Sequence, residues 1–182
     1  SVQDAGIMFG SSTVGGISSN GVKAQSYNDI KKSGGWFSSD KYSTQTKDLG
    51  NGIDKQFADI INNMAKTISA AADMIGIGGT AFNDHLKSFV VDLGKISLKD
   101  LKGDEVTDAL NAIFSKLGDD MAMFAVDGLK GFQKIGEGYL ETLSRVANEL
   151  IQVQDVFAVL GKSMTSTGMA AIESSQNFVD LF

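Results

Sequence analysis

Cysteine and proline are absent from all 182 residues, and histidine occurs once, at His85. Without cysteine there is no disulfide and no thiolate to act as nucleophile or ligand. One histidine and no cysteine leave a zinc site to be built from carboxylates, which suit that metal poorly. The lack of proline removes the strongest helix breaker, so glycine, at 21 residues, supplies the punctuation. Also missing is any apolar run near the ~18 residues that a bilayer-crossing helix needs, which argues against an integral membrane protein. The chain begins at Ser1 with neither a Met nor a basic start followed by an apolar run, and it reads as a processed or excised piece of something longer.

Positive charge is scarce in the second half. Residues 1–102 carry 11 Lys/Arg against 10 Asp/Glu, a balance of +1, whereas residues 103–182 carry 5 against 12, a balance of −7. A duplex-binding surface needs clustered cations to displace phosphate counterions, so sequence-specific nucleic-acid binding is not expected.

The residues that could carry chemistry read more simply as structure. His85 lies in Thr80-Ala-Phe-Asn-Asp-His-Leu, a setting for a surface or capping histidine. No Gly-x-Ser-x-Gly elbow supports a serine nucleophile. Gly76-Ile-Gly-Gly-Thr80 lacks the lysine that a phosphate-cradling loop uses to reach its ligand, and it reads as a helix end. Asp119-Asp120, and Glu137 with Glu141, fall on helix faces beside lysines, where solvated charge and pairing one turn apart explain them. Met121, Met123 and Phe124 are read as core filling rather than a promiscuous groove. The expectation is a protein without catalytic residues, metal ligands or cofactor.

Three segments follow from composition and periodicity. Residues 1–52 are rich in Gly, Ser, Thr and Asn and fit short strands. Ser33-Gly-Gly35 connects Tyr27–Lys32 to a second strand from Trp36 to Thr46 as a hairpin. A polar hairpin is marginally stable alone, so Trp36, Phe37 and Tyr42 should pack on helices or on a neighbouring protein. Residues 53–126 read as helix, strand and helix. Ile53, Phe57, Ile60, Ile61, Met64, Ile68, Ala71 and Ile75 mark the first helix; Leu86–Leu101 is one kinked strand or two meeting near Gly94. Gly103-Asp-Glu opens a second helix that buries Val106, Ala109, Leu110, Ile113, Phe114, Leu117, Met121 and Phe124. Residues 127–182 hold a short helix or entry turn at Leu129–Ile135, a long helix, and a tail after Gly161 that should order against a partner.

In that long helix Tyr139, Leu143, Val146, Leu150, Val153, Phe157 and Leu160 recur at gaps of 4, 3, 4, 3, 4 and 3. The spacing is that of a heptad seam and makes these seven the expected oligomer or partner interface. Over about three heptads, packing against a helix of the same chain is a serious competitor. The fold class expected is α+β and predominantly helical: a strand-rich N-terminal part, amphipathic helices around a short strand element, and a long C-terminal helix for assembly.

Gly103-Asp-Glu-Val-Thr-Asp-Ala-Leu-Asn-Ala-Ile-Phe-Ser-Lys-Leu-Gly-Asp-Asp-Met121 and Phe132-Gln-Lys-Ile-Gly-Glu-Gly-Tyr-Leu-Glu-Thr-Leu-Ser-Arg-Val-Ala147, preceded by Ser88-Phe-Val-Val-Asp-Leu-Gly-Lys-Ile-Ser-Leu98 and Gly35-Trp-Phe37, resemble in content and order the C-terminal region of phage tail tape measure proteins. The phages in question are long-tailed and infect Gram-negative bacteria, and the similarity spans roughly residues 1–160. It implies a structural role in the virion, in the tail lumen and at the tail tip, with three copies side by side as a homotrimer. Contacts to tail-tip hub and tail-tube proteins are implied, with a part in tail assembly and DNA ejection and membrane contact only during ejection. It transfers no active-site residue. The alternative is a cell-wall hydrolase or a membrane-active domain delivered by the tail.

Overall fold

The computed structural model describes residues 1–159, with side chains through residue 152. By internal contacts the chain forms two compact units, each taking two stretches of sequence: residues 1–61 with 90–114, and residues 62–89 with 115 onward.

The first unit is organised by a four-stranded antiparallel sheet in the order β4-β3-β1-β6, where β1 is Val2–Phe9, β3 Ala24–Lys32, β4 Lys41–Asp48 and β6 Lys95–Ser97. A second, two-stranded sheet pairs β2 (Ser12–Thr13) with β5 (Val90–Val91). Between β2 and β3 lies a seven-residue helix, α1 (Val14–Asn20), capped by the Thr13 hydroxyl, which accepts from the Gly16 N–H at 3.0 Å. Alternation along the strands puts Phe9, Ala24 and Ile96 on one face of the main sheet, and all three are buried. Phe9 meets Phe57 of α2 (Asn51–Met74) edge-on with centroids 4.9 Å apart, and Phe57 stacks on Phe114 of α4 (Asp104–Ala125) at 5.6 Å. The Asp54 carboxylate, in the first turn of α2, accepts the Ala24 N–H at 2.9 Å and ties helix to strand. Gly6 has no room for a side chain, since a Cβ there would lie 1.9 Å from the Ile96 carbonyl oxygen.

In the second unit the buried residues are Ile68, Ala71, Ala72 and Ile75 of α2, Leu86 of α3 (Thr80–Lys87), Leu117, Met121 and Ala122 of α4, Val126, Leu129, and the inward side of α5 (Tyr139–Val159). Gly76, at φ +78°, ends α2 in a left-handed turn in which the Ile77 and Gly78 N–H groups close on the Ala72 carbonyl. Leu129–Phe132 is a 3₁₀ turn. The buried Tyr139 hydroxyl donates to the Val126 carbonyl at 2.6 Å and accepts the Leu129 N–H at 3.0 Å, fixing the turn to α5.

The expected fold class is corrected. The described residues form a mixed α/β fold, 52% helical and 21% strand, with five helices and no long C-terminal coiled-coil helix among them. The Tyr139–Val159 helix exists, but Tyr139, Leu143, Val146 and Leu150 are 0–3% exposed in the single chain. The physical reason is that a 4-3 repeat is what any helix shows when one stripe faces a core, and a 3.5 repeat diverges from a 3.6 repeat by only about 20° per heptad. Two helices were also missed: α1, too short and Gly/Ser-rich to show a period, and α3. The segment Leu86–Leu101 resolves into two strands on either side of Gly94, at φ +56°, but each joins a different sheet. Of the expected inner face of α4, Phe114, Leu117 and Met121 are buried, whereas Phe124 is 39% exposed.

Candidate docking hairpin

The β3 and β4 strands pair without a break from Gln25↔Asp48 to Lys32↔Lys41, and the eight-residue connection 33–40 caps the ladder. The hairpin is where the sequence places it. Its second strand starts at Lys41 rather than Trp36, because the connection folds on itself. The Gly34 N–H donates to Asp40 Oδ1 (3.1 Å), the Gly35 N–H to Ser38 Oγ (2.9 Å), and the Ser38 N–H back to the Gly35 carbonyl (2.9 Å). Gly34 is required there, since a Cβ would lie 1.8 Å from the Ser38 carbonyl oxygen. Lys31 Nζ holds Asp40 at 2.6 Å, and that hydrogen bond keeps the Asp40 carboxyl below its ordinary range.

This turn carries Trp36 and Phe37 outward, 95% and 98% exposed. The expected packing of these rings on the chain's own helices does not occur. Tyr42, 70% exposed, stands on β4 with Lys31 Nζ 5.8 Å from its ring centre. Two adjacent, fully exposed aromatic rings on a hydrogen-bonded turn form an apolar tip whose backbone needs little further ordering to bind.

The sheet face behind the hairpin is polar. Gln3, Asp29, Tyr42, Thr44 and Lys95 line a shallow concavity of about 450 Å³. Lys95 Nζ lies 2.9 Å from both Asp29 carboxylate oxygens and 4.7 Å from the Tyr27 ring centre. The Thr44 hydroxyl and then Lys95 lower the Asp29 carboxyl. Asp4 accepts from the hydroxyls of Ser97 (2.5 Å) and Tyr27 (2.7 Å), which hold its carboxyl down, while burial pushes the Tyr27 phenol up to about 12. The Asp4 and Asp29 carboxyls are thus moved down and the Tyr27 phenol up, both away from neutrality, the reverse of a poised acid–base pair. Among the described residues no group of three or more His, Asp or Glu stands close enough to hold a metal ion, and no helix is long and apolar enough to cross a membrane.

The other sequence-selected residues take structural positions. His85 stacks on Phe124 with centroids 4.3 Å apart, its Nε2 3.0 Å from the Phe124 carbonyl. Asp119 accepts the Leu140 N–H at 2.9 Å at the start of α5. Of the expected interface, Tyr139, Leu143, Val146 and Leu150 are buried and offer no surface to a partner; the side chains of Val153 and Phe157, and Leu160 altogether, lie outside the described residues. Sequence reasoning overlooked Arg145. Its guanidinium donates to both oxygens of Glu137 (Nε to Oε1 2.7 Å, Nη2 to Oε2 3.0 Å), to both oxygens of Glu149 (3.0 and 3.1 Å) and to the Phe132 carbonyl (2.5 Å). The Arg145–Glu149 spacing of four was the legible signal; the reach back to Glu137 was not.

Comparison with family models, with curated proteins and with solved structures found no match to this chain.

Proposed function

We propose that the chain is a structural, non-enzymatic part of a phage tail: the tip-proximal region of a tape measure protein, docked through its hairpin onto a tail-tip protein and taking part in tail assembly and DNA ejection. The observation that carries the docking role is the Trp36–Phe37 tip. An exposed aromatic pair on a preordered turn contributes roughly 2–3 kcal/mol per ring when a partner covers it, which is how a few side chains dominate an interface. The tail assignment itself draws on the similarity of residues 103–147 to tape measure proteins. Carboxyls lowered at Asp4 and Asp29 beside a raised Tyr27 phenol support a scaffold over an acid–base catalyst.

Trp36 is the only tryptophan, so its emission reports the tip alone. Titrating the chain with tail-tip hub protein, and separately with tail-tube protein, should shift that emission to the blue with the hub. The Phe37→Ser variant should bind the hub at least tenfold more weakly while its circular dichroism stays unchanged. No shift with either protein refutes the docking role. A shift on anionic lipid vesicles in their place moves the tip's partner to a membrane, and a cleared band in a peptidoglycan zymogram replaces the scaffold reading with a hydrolase.

A further inference from the structure

We infer that the pocket receiving the Trp36–Phe37 tip belongs to a protein and carries carboxylates at its rim, placed to meet Lys32 and Lys41. The inference rests on the docking reading of the tip and adds the chemistry of the partner.

Lys32 and Lys41 stand directly opposite one another at the last rung of the β3–β4 ladder, where the connection 33–40 leaves the sheet. Both are exposed, and among the described residues neither is in an ion pair. Opposed side chains project from the same face of a sheet, so two ammonium groups share one spot, an arrangement that weakens a hairpin. Lysine on an edge strand commonly keeps other strands away, which accounts for Lys41 and Lys47 of β4. It does not account for Lys32, because β3 is flanked by β4 and β1 and has no free edge. Lys31 differs from its neighbour, since Asp40 takes up its charge at 2.6 Å. Asp40, the one carboxylate of the connection, also accepts the Gly34 N–H and is thereby engaged.

Position ties the lysine pair to the tip. Trp36 follows Lys32 by four residues and Phe37 precedes Lys41 by four, a span of at most about 14 Å of chain. A pocket wall that closes on the rings therefore comes within reach of both ammonium groups. Residues 31–41 hold three lysines and one aspartate, a net +2 in a chain whose net charge is −6. An anionic bilayer would meet that whole negative body and would have to take Asp40 into its headgroup layer, whereas a pocket engages only the tip. A carboxylate that bridges the two lysines removes their mutual repulsion, so the groups that weaken the free hairpin favour the bound one.

The test is the affinity and association rate of the whole chain for tail-tip hub protein across a range of NaCl concentrations. At about 50 mM, Lys32→Gln and Lys41→Gln should each weaken binding roughly threefold, and together roughly tenfold, mainly through slower association. At about 500 mM the differences should shrink to within about twofold, because salt screens exposed charges. Lys47→Gln removes the same charge near the other end of β4, where Lys47 faces Ser26, and should bind as the unaltered chain does. Lys41→Glu turns the facing repulsion into attraction, so it should weaken binding further without lowering the unfolding midpoint. Binding that Phe37→Ser abolishes, but that salt and both lysine variants leave unchanged, would overturn the inference and keep the docking role. Equal losses from Lys41→Gln and Lys47→Gln, or tighter binding to anionic vesicles than to the hub in the same salt series, would also overturn it. No binding to the hub at any salt would remove the docking role and the inference with it.

Discussion

Replacing Arg145 by Met keeps most of the side chain's length and removes its charge, leaving Glu137 and Glu149 without the cation they share. The Arg145 and Glu137 side chains are 17% and 9% exposed, so water replaces the lost partner only in part. The Arg145 hydrogen bonds, aided by those from the Lys134 N–H and the Thr142 hydroxyl, lower the Glu137 carboxyl from 4.5 to about 2, and Glu137 in return raises the Arg145 guanidinium. At about 1.4 kcal/mol per pH unit, that fall corresponds to about 3 kcal/mol. Solvent at the rim of the cluster screens the pair and reduces the expected loss to about 2 kcal/mol at pH 7. A carboxyl lowered on folding contributes its full stabilisation above 4.5 and loses it as pH falls toward about 2. The unaltered chain should therefore be more stable than Arg145→Met by about 2 kcal/mol at pH 7, and the two should converge near pH 2. Urea unfolding followed by far-ultraviolet circular dichroism measures this directly, whereas the exposed Trp36 would be a poor reporter. A stability difference that is the same at pH 7 and pH 2.5 would refute the assignment of the stabilisation to the Glu137–Arg145 pair.

Tyr139→Phe strands the buried Leu129 N–H and Val126 carbonyl and should cost about 1–3 kcal/mol in the same unfolding assay. Leu150→Asp puts a carboxylate at a site with 0% exposure; loss of cooperative thermal unfolding is expected, and a folded variant with altered sedimentation would instead revive an intermolecular seam. Gly6→Ala drives a methyl into the Ile96 carbonyl and should release β6 from β1, visible as faster amide exchange at Leu98, whose N–H bonds to the Ala5 carbonyl. Trp36→Ser should leave the unfolding midpoint unchanged, because 95% of that side chain is already in water.

Local chemistry made parts of the fold legible in advance. The apolar period from Phe57 to Ile75 and the acidic start at Asp104 and Glu105 give α2 and α4, because those signals need no knowledge of what the helix faces. Ser33-Gly-Gly35 gives the hairpin for the same reason, although the tight fold of residues 33–40 moves Trp36 and Phe37 out of the strand. Less legible were elements whose existence rests on distant partners. β6 is three residues held by β1 some ninety positions earlier, and nothing local to Lys95–Ser97 announces that pairing. The Glu137 side chain was visible as a charge on a helix face, but its bidentate hold on Arg145 depends on the turn before α5 folding back on the helix.

By itself the sequence determined that α2 and α4 are helices, that cysteine chemistry is excluded, and that one stripe of the helix from Tyr139 is apolar. Which surface meets that stripe was decided by the tertiary structure, since periodicity records that a face is buried and carries no information about whose atoms bury it. The same holds for the hairpin: strand propensity and turn residues set its form, and only the tertiary structure, in which Phe9 of β1 packs on Phe57 and Phe57 on Phe114, left β4 and the Trp36–Phe37 tip in water.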